Sequence, residues 1–342
     1  MILVNNYIVG LICCVYCCIC WGSWSNTQKL VTNKKWSNEL FYWDLSLGLF
    51  LTALVGCLLL GCLGGGERTF LKDMAHFDWS SMKWAILGGI VWNAANICLT
   101  AAISLSGMSV GFPIGGGLGW IGGIIYNYIL VVAAGGKYPG NEALLWIGVV
   151  IVVVAIVLCA LSYKNISAAK GDSSKTVRGI VFAVLSGIGF MFFYGLIVKS
   201  IDPAIVTGGT GTVIPYSGVF GFALGALVTT PIFNGFAMRH PTQGGERVSM
   251  KDYRAGSVRT HLIGMLGGVI WMSGMLISFM GSAAANPAIS YAMSNASPIV
   301  AMIWGFFVWK EFKGASKATQ VMITAMFTLF VIGLVLITMS NG

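Results

Sequence analysis

Apolar runs of about twenty residues, separated by short polar segments, recur ten times along the chain. They lie near 8–28, 42–64, 84–105, 109–134, 143–163, 178–199, 213–237, 262–281, 287–309 and 318–339. A run of that length crosses about 30 Å of hydrocarbon at about 1.5 Å per residue, so each predicts a transmembrane helix. Stretches such as Ile147 to Leu161 are continuously apolar, which excludes the period-two alternation of a membrane β-barrel. The first run has no basic segment ahead of it and no small-residue cleavage site, and it ends in the polar string SWSNTQK. It therefore reads as a true span and not a signal peptide.

The pattern repeats. Leu87-Gly88-Gly89-Ile90-Val91-Trp92 in the third run is matched by Leu266-Gly267-Gly268-Val269-Ile270-Trp271 in the eighth, 179 residues later. Continued without a gap, the same offset lays the fourth run on the ninth. Two five-helix units are expected, residues 1–165 and 178–342, joined by a polar linker at 166–177. An odd number of spans per unit makes the second insert upside down. Inverted repeats of this kind typify secondary transporters, which hold solute near the midplane where the repeats meet.

Composition narrows the class. The chain has 342 residues, 57% hydrophobic and 9% charged, against about 25% charged in an average soluble domain. Too few polar side chains remain to coat a water-facing surface, so a soluble enzyme and a disordered chain are excluded. Glycine, at 46 residues, suits helices that approach closely through small side chains. The net charge of +9 suggests nucleic acid until its distribution is read. Fifteen of the 20 Lys and Arg fall in the loops after spans 1, 3, 5, 7 and 9, and five (Arg68, Lys72, Lys83, Lys137, Lys199) on the opposite side. The positive-inside rule makes the first set cytoplasmic and places both termini outside a plasma (inner) membrane. A nucleic-acid partner is then unnecessary.

Candidate chemistry sits within the spans. The string CCVYCCIC (Cys13 to Cys20) has C-x2-C spacing, but thiolates in hydrocarbon are costly and no His or carboxylate lies at that depth, so it reads as helix packing without a metal. Gly117-x-Gly119-x-x-Gly122 fits a dinucleotide fingerprint as a string but has no strand before it. No cofactor is expected. These glycines, with Gly107, Gly111, Gly115 and Gly116, let helix backbones touch; the alternative is that the PIGGG string (Pro113 to Gly117) loosens span 4 and frees backbone groups for a polar solute.

Buried polar residues are costly in a membrane unless they face protein or water. Asn93 and Asn96 in span 3, and Tyr291 and Asn295 in span 9, share helix faces in different repeats and are expected to converge on one cavity. Trp21, Tyr194 and Trp271 lie at related depths in spans 1, 6 and 8, where aromatic planes stack on sugar rings or flat heterocycles. Glu39 and Asp44, in the otherwise aromatic WSNELFYWD stretch, are the candidates for proton coupling. Glu142, Asp202 and Glu311 fall at span ends and read as interfacial anchors, with Glu311, between Lys310 and Lys313, as a solvated helix end.

Four strings carry a family resemblance: CWGSWSNTQKL (Cys20 to Leu30), KKWSNELFYWD (Lys34 to Asp44), WNAANICLTAAISLSGMSVGFPIGGGLGWIGG (Trp92 to Gly123) and VWKEF (Val308 to Phe312). With ten helices in two inverted units, they resemble the drug/metabolite transporter superfamily, and within it the L-rhamnose–proton symporter and glucose/ribose porter branch. Plant ureide permeases are a more distant relative. The GMS-x-G turn (Gly107 to Gly111) is the most specific piece. The resemblance implies both termini outside, and places Glu39 on the family's acidic position. The central linker lacks the ATP-binding motif associated with ureide permeases, which favours the sugar branch. The expected function is import of a small neutral polar solute, a monosaccharide first, by proton symport. A ureide, nucleobase or nucleoside permease and a drug or metabolite exporter are the alternatives. The expected partners are the solute, a co-transported proton and the bilayer, in a monomer or homodimer.

Overall fold

The computed structural model describes residues 1–33, 35–64, 67–133, 137, 140–169, 173–206, 208–242, 244, 246–281, 284 and 293–340. Their regular structure is helical apart from one isolated bridge between Ile201 and Val213. The helices are α1 (Tyr7–Ser23), α2 (Asn26–Val31), α3 (Asn38–Cys62), α4 (Phe70–Ala75), α5 (Trp79–Ser106), α6 (Met108–Gly111) and α7 (Gly117–Ala133). They continue with α8 (Glu142–Ala169), α9 (Ser173–Ser200), α10 (Pro215–Arg239), α11 (Met250–Arg254), α12 (Val258–Gly281), α13 (Ser297–Ile303) and α14 (Lys317–Ser340).

Among the described residues, nine helical stretches are long and apolar enough to cross a membrane, and the protein is a multi-pass membrane protein. The expected ninth run is described only from residue 293, as α13 with a wide turn over Trp304–Val308. A similar wide turn, Phe112–Gly116, joins α6 to α7. Pro113 has no N–H to give to the helix ladder, and such a residue leaves a helix to widen locally. The PIGGG string thus sits in a widened turn.

Successive spans run up and down. The ends of α2, α5, α8, α10 and α13 meet the starts of α3, α6, α9, α12 and α14 at one end of the bundle. Among the described residues that end carries thirteen of the fifteen basic residues, and it is called the basic end below. The partners in packing are α5 with α9, α12 with α1, α5 with α10, α12 with α3, α7 with α9, α13 with α1, α8 with α14, and α3 with α10.

Glycine decides the closest of these contacts. A Cβ at Gly89 of α5 would stand 2.8 Å from the Phe222 carbonyl carbon of α10, and one at Gly268 of α12 would stand 2.8 Å from the Gly48 carbonyl carbon of α3. Only hydrogen at both positions lets backbone touch backbone. The cysteine string of α1 serves the same purpose on a larger scale. Cys13, Cys17 and Cys20 are buried and lie against Gly281 and Gly274 of α12. All nine cysteines are free thiols.

Candidate functional site

A small cavity lies where α1, α5, α7, α9, α12 and the stretch before α13 approach one another. Five aromatic residues close it: Trp21, Trp24, Trp92, Trp120 and Trp271, with Phe112, Phe190 and Phe193 beside them. Trp271 is stacked on Trp21 (centroids 5.3 Å apart, planes 14° apart) and on Phe222 (5.6 Å, 15°). Trp92 meets Trp271 at 4.4 Å with its plane tilted by 52°. The Trp21 indole N–H donates to the Trp271 carbonyl oxygen at 3.2 Å, which fixes the pair.

Asn96, Asn295, Ser297, Gly116 and Gly119 supply the rest of the wall. Asn96 is 1% exposed. Its Nδ2 donates to the Tyr42 hydroxyl at 3.4 Å, while its Oδ1 has no hydrogen-bond partner. The Trp120 indole N–H is also buried without a partner. Two residues of the chamber wall thus each hold one buried polar atom without a partner, and a buried polar group left unpaired costs about 1–3 kcal/mol. The chamber measures about 40 Å3. A water molecule needs about 10–15 Å3 on this scale, so this form admits a few waters and no sugar or heterocycle.

The expected site residues divide accordingly. Trp21, Asn96, Trp271 and Asn295 all line the chamber. Asn93 lies off it: its Oδ1 accepts from Tyr42 Oη at 2.8 Å, and its Nδ2 donates to Thr229 Oγ1 at 2.9 Å. Tyr194 is stacked on Phe279 at 5.5 Å, also away from the chamber wall. Tyr291 lies outside the described residues. Trp24, Trp92, Trp120 and Ser297 were not singled out from the sequence. A tryptophan in an apolar run looks the same whether it faces a core or a cavity.

Glu39 and Asp44 are both in α3, which begins at Asn38, earlier than the hydropathy pattern suggests. Glu39 is 2% exposed, and its Oε1 accepts from the Thr242 amide (3.2 Å) and hydroxyl (3.1 Å). Asp44 is fully buried. Its Oδ1 accepts from Tyr253 Oη at 2.6 Å and lies 2.8 Å from His261 Nδ1, while Oδ2 has no partner. Trp36 stands edge-on to His261 at 5.1 Å and tilted over Tyr253 at 5.9 Å. Burial first, and the neighbouring Asp44 next, push the Tyr253 phenol above its ordinary range, so it stays an O–H donor. Neither His261 nor Tyr253 is near Asp44 in sequence, and only the fold brings them together.

Glu311 corrects an expectation. Its side chain is only 10% exposed and forms an ion pair with Lys29, so it is not a solvated helix end. The same carboxylate accepts from the Met108 amide at 2.9 Å and the Ser109 amide at 2.8 Å. Among the described residues no group of three or more His, Cys, Asp or Glu is arranged to hold a metal.

Comparison with known proteins places this architecture. The family model described as "Ureide permease" matches residues 41–173 and 161–340. Similar proteins include Ureide permease 1 of Arabidopsis thaliana, 22% identical over 97% of this chain and 97% of that protein. Another is the "Probable ureide permease A3" of Vigna unguiculata, 22% identical over 91% of this chain and 98% of its own length. A third is the "Probable glucose uptake protein GlcU" of Staphylococcus aureus, 23% identical over 77% of this chain and 80% of that protein. The matching family model is thus the one that the sequence reading held to be the more distant relative. With its two matches together covering nearly the whole helical bundle, the chain belongs to the ureide permease family of membrane permeases.

Proposed function

We propose that the chain is a secondary active transporter that takes up a small neutral polar solute by alternating access. In this reading ten transmembrane helices form two inverted units, 1–165 and 178–342, with the basic end in the cytoplasm. Several features support the repeat. Helices α10, α12 and α14 begin 177, 179 and 175 residues after α3, α5 and α8. The short loop helices α4 and α11 are 180 residues apart at their starts. Exchanging the units turns the α5–α9 contact into α12–α1, α5–α10 into α12–α3, and α7–α9 into α13–α1. The glycine contacts obey the same exchange, since Gly89 against α10 corresponds to Gly268 against α3.

The observation that carries the substrate class is a tryptophan-walled chamber whose polar lining is Asn96, Asn295 and Ser297. Flat faces bind flat faces, and amide and hydroxyl side chains suit a solute that both donates and accepts. A ureide or nucleobase does this with its N–H and C=O groups. It stacks on Trp21 and Trp271 while its edge bonds Asn96 and Trp120, with Asn295 and Ser297 completing the contact. The family match and the names of the plant relatives point the same way. A monosaccharide is the second reading, favoured by the similarity to a glucose uptake protein. Sugar hydroxyls also donate and accept, and a sugar's C–H face stacks on indole.

Transport is coupled to a proton at Asp44. Its free Oδ2 and the adjacent His261 form a proton-exchanging pair at the basic end, and Tyr253 keeps Asp44 oriented. Glu39, held by Thr242, is the second candidate. Purified protein in liposomes with an imposed inward proton gradient tests the whole reading. Accumulation of radiolabelled allantoin or uracil, lost with an uncoupler and in Asp44→Asn, is the expected result. Accumulation of glucose alone selects the second reading. Uptake that survives both the uncoupler and substitution of Asp44 and Glu39 refutes proton coupling.

A further inference from the structure

Glu311 ties together three elements that all reach the chamber. Lys29 is at the end of the α1/α2 segment, which supplies Trp21 and Trp24. Met108 and Ser109 open the α6–α7 helix, which supplies Gly116 and Gly119. Glu311 itself follows α13, preceded by Ser297 of the chamber wall. Two neighbouring tryptophans fasten the same seam, with Trp304 Nε1 donating to Ser23 Oγ at 2.8 Å and Trp309 Nε1 to Asn26 Oδ1 at 2.6 Å.

The chain is shaped around this carboxylate. Gly107 has φ 88°, and a Cβ there would lie 2.8 Å from the Glu311 carboxyl group. A Cβ at Gly305 would also lie 2.8 Å from Glu311 Oε2. Lys310, just before Glu311, has φ 49° and is the sole non-glycine with positive φ among the described residues. Backbone strain of this kind costs about 1–3 kcal/mol and persists where the surroundings impose it. Two of the three latched elements carry a widened turn between the latch and the chamber. Phe112–Gly116 separates Met108 from Gly119, and Trp304–Val308 separates Ser297 from Glu311. Such turns are places where a helix bends.

We propose that Glu311 is the latch of the gate at the basic end. When its carboxylate releases Lys29 and the two α6 amides, the ends of α6 and α13 swing about their widened turns, away from α2, and open the chamber to that side. The latch deepens the alternating-access reading above and rests on it. Two of its three ligands are backbone N–H groups, so the charge on Lys29 is not sufficient for the hold. A Lys29→Glu/Glu311→Lys swap keeps an ion pair yet points an ammonium at the α6 amides, and it is expected to stay unlatched.

The test requires no solute. Ser297→Cys reports the chamber to a membrane-impermeant maleimide in sealed vesicles of each orientation, read against the parent's labelling. Lys251→Cys, exposed at the basic end, marks which face is that end. Glu311→Gln, and more weakly Lys29→Gln, are expected to raise labelling from the basic face by about tenfold or more, the weight of a charge-assisted hydrogen bond. Labelling from the other face should stay level or fall. Parent rates from both faces in Lys29→Gln and in a well-folded Glu311→Gln overturn the latch. So does a rise from both faces, which would mark a general staple of the fold, and so does rescue by the charge swap. A latch that passes while no solute in the uptake panel moves leaves the latch standing and sinks the transport reading.

Discussion

Replacing Gly89 or Gly268 by alanine tests whether the two halves are built alike. Each glycine sits where its helix touches the backbone of a partner, Gly89 against Phe222 and Ala226 of α10, Gly268 against Leu45, Gly48 and Leu49 of α3. An alanine Cβ at Gly89 would fall 2.8 Å from the Phe222 carbonyl carbon and 2.9 Å from the Ala226 nitrogen, where ordinary contact begins near 3.4 Å. Backbone atoms cannot rotate aside, so the helices must separate by more than half an ångström over their whole contact. Overpacking of this kind costs about 1–3 kcal/mol, and backbone clash belongs at the upper end, about 2–3 kcal/mol. Gly195 of α9 and Gly235 of α10 provide the opposing control, since a Cβ there meets nothing within 4 Å. Alanine at those sites should be neutral or stabilising by about 0.5–1 kcal/mol through helix propensity.

Heating detergent-solubilised fluorescent fusions and reading the surviving monodisperse peak by size exclusion gives the midpoint. Gly89→Ala and Gly268→Ala should each fall by roughly 3–6 °C, by similar amounts, while Gly195→Ala and Gly235→Ala should not fall. Equal stability of all four variants would refute the close-contact argument. A loss at Gly89 with none at Gly268 would refute the equivalence of the two units.

Removing the chamber's acceptor with Asn96→Leu should raise KM for the transported solute by about tenfold or more, the weight of one buried hydrogen bond, with the folded yield preserved; equilibrium binding by calorimetry would separate affinity from turnover. Tyr253→Phe removes the short hydrogen bond to Asp44 while leaving the ring, so gradient-driven accumulation should fall while solute exchange without a gradient continues, as read in paired liposome assays. At the opposite end, the Asp202 carboxyl is held below its usual range, first by the Ala204 amide and then by Arg68. A depressed folded pKa adds stability above the ordinary value of about 3.9 and loses it as pH falls through the folded value. Asp202→Asn should therefore cost about 0.5–1 kcal/mol at pH 7, with the gap to the parent closing as the pH falls below about 4 in the same heating assay.

How much was legible follows from which interactions are local. Apolar run length set the crossing helices, because a span must satisfy its own backbone hydrogen bonds within one segment. The Leu-Gly-Gly strings at 87–89 and 266–268 were legible for the same reason, since a glycine needed for close approach remains visible in one chain. The other side of each contact was not: Gly48 and Phe222 look like any glycine or phenylalanine until α3 and α10 are placed. Asn93 and Asn96 have equal standing on a helical wheel. Tyr42, from another helix, takes both Asn93 Oδ1 and Asn96 Nδ2 and leaves Asn96 Oδ1 without a partner.

Glu311 was misread for a more general reason. Lysines on either side made it look solvated, yet a side chain's burial depends on what the distant chain brings to it. Lys29 and the α6 amides lie 282 and about 200 residues away. The signal was present in another place, in the Gly-Met-Ser string at 107–109. A glycine held at φ 88° ahead of two amides that point at one carboxylate is a socket without its plug in sequence. That socket predicts its own sensitivity. Gly107→Ala places a methyl group 2.8 Å from the carboxyl carbon and demands a backbone conformation that alanine resists. It should therefore unlatch the gate as Glu311→Gln does, with the acid itself untouched. Labelling of Ser297→Cys from the basic face should rise in Gly107→Ala. If it stays at the parent rate in a folded protein, the glycine is there for the turn alone and the carboxylate does not need its socket.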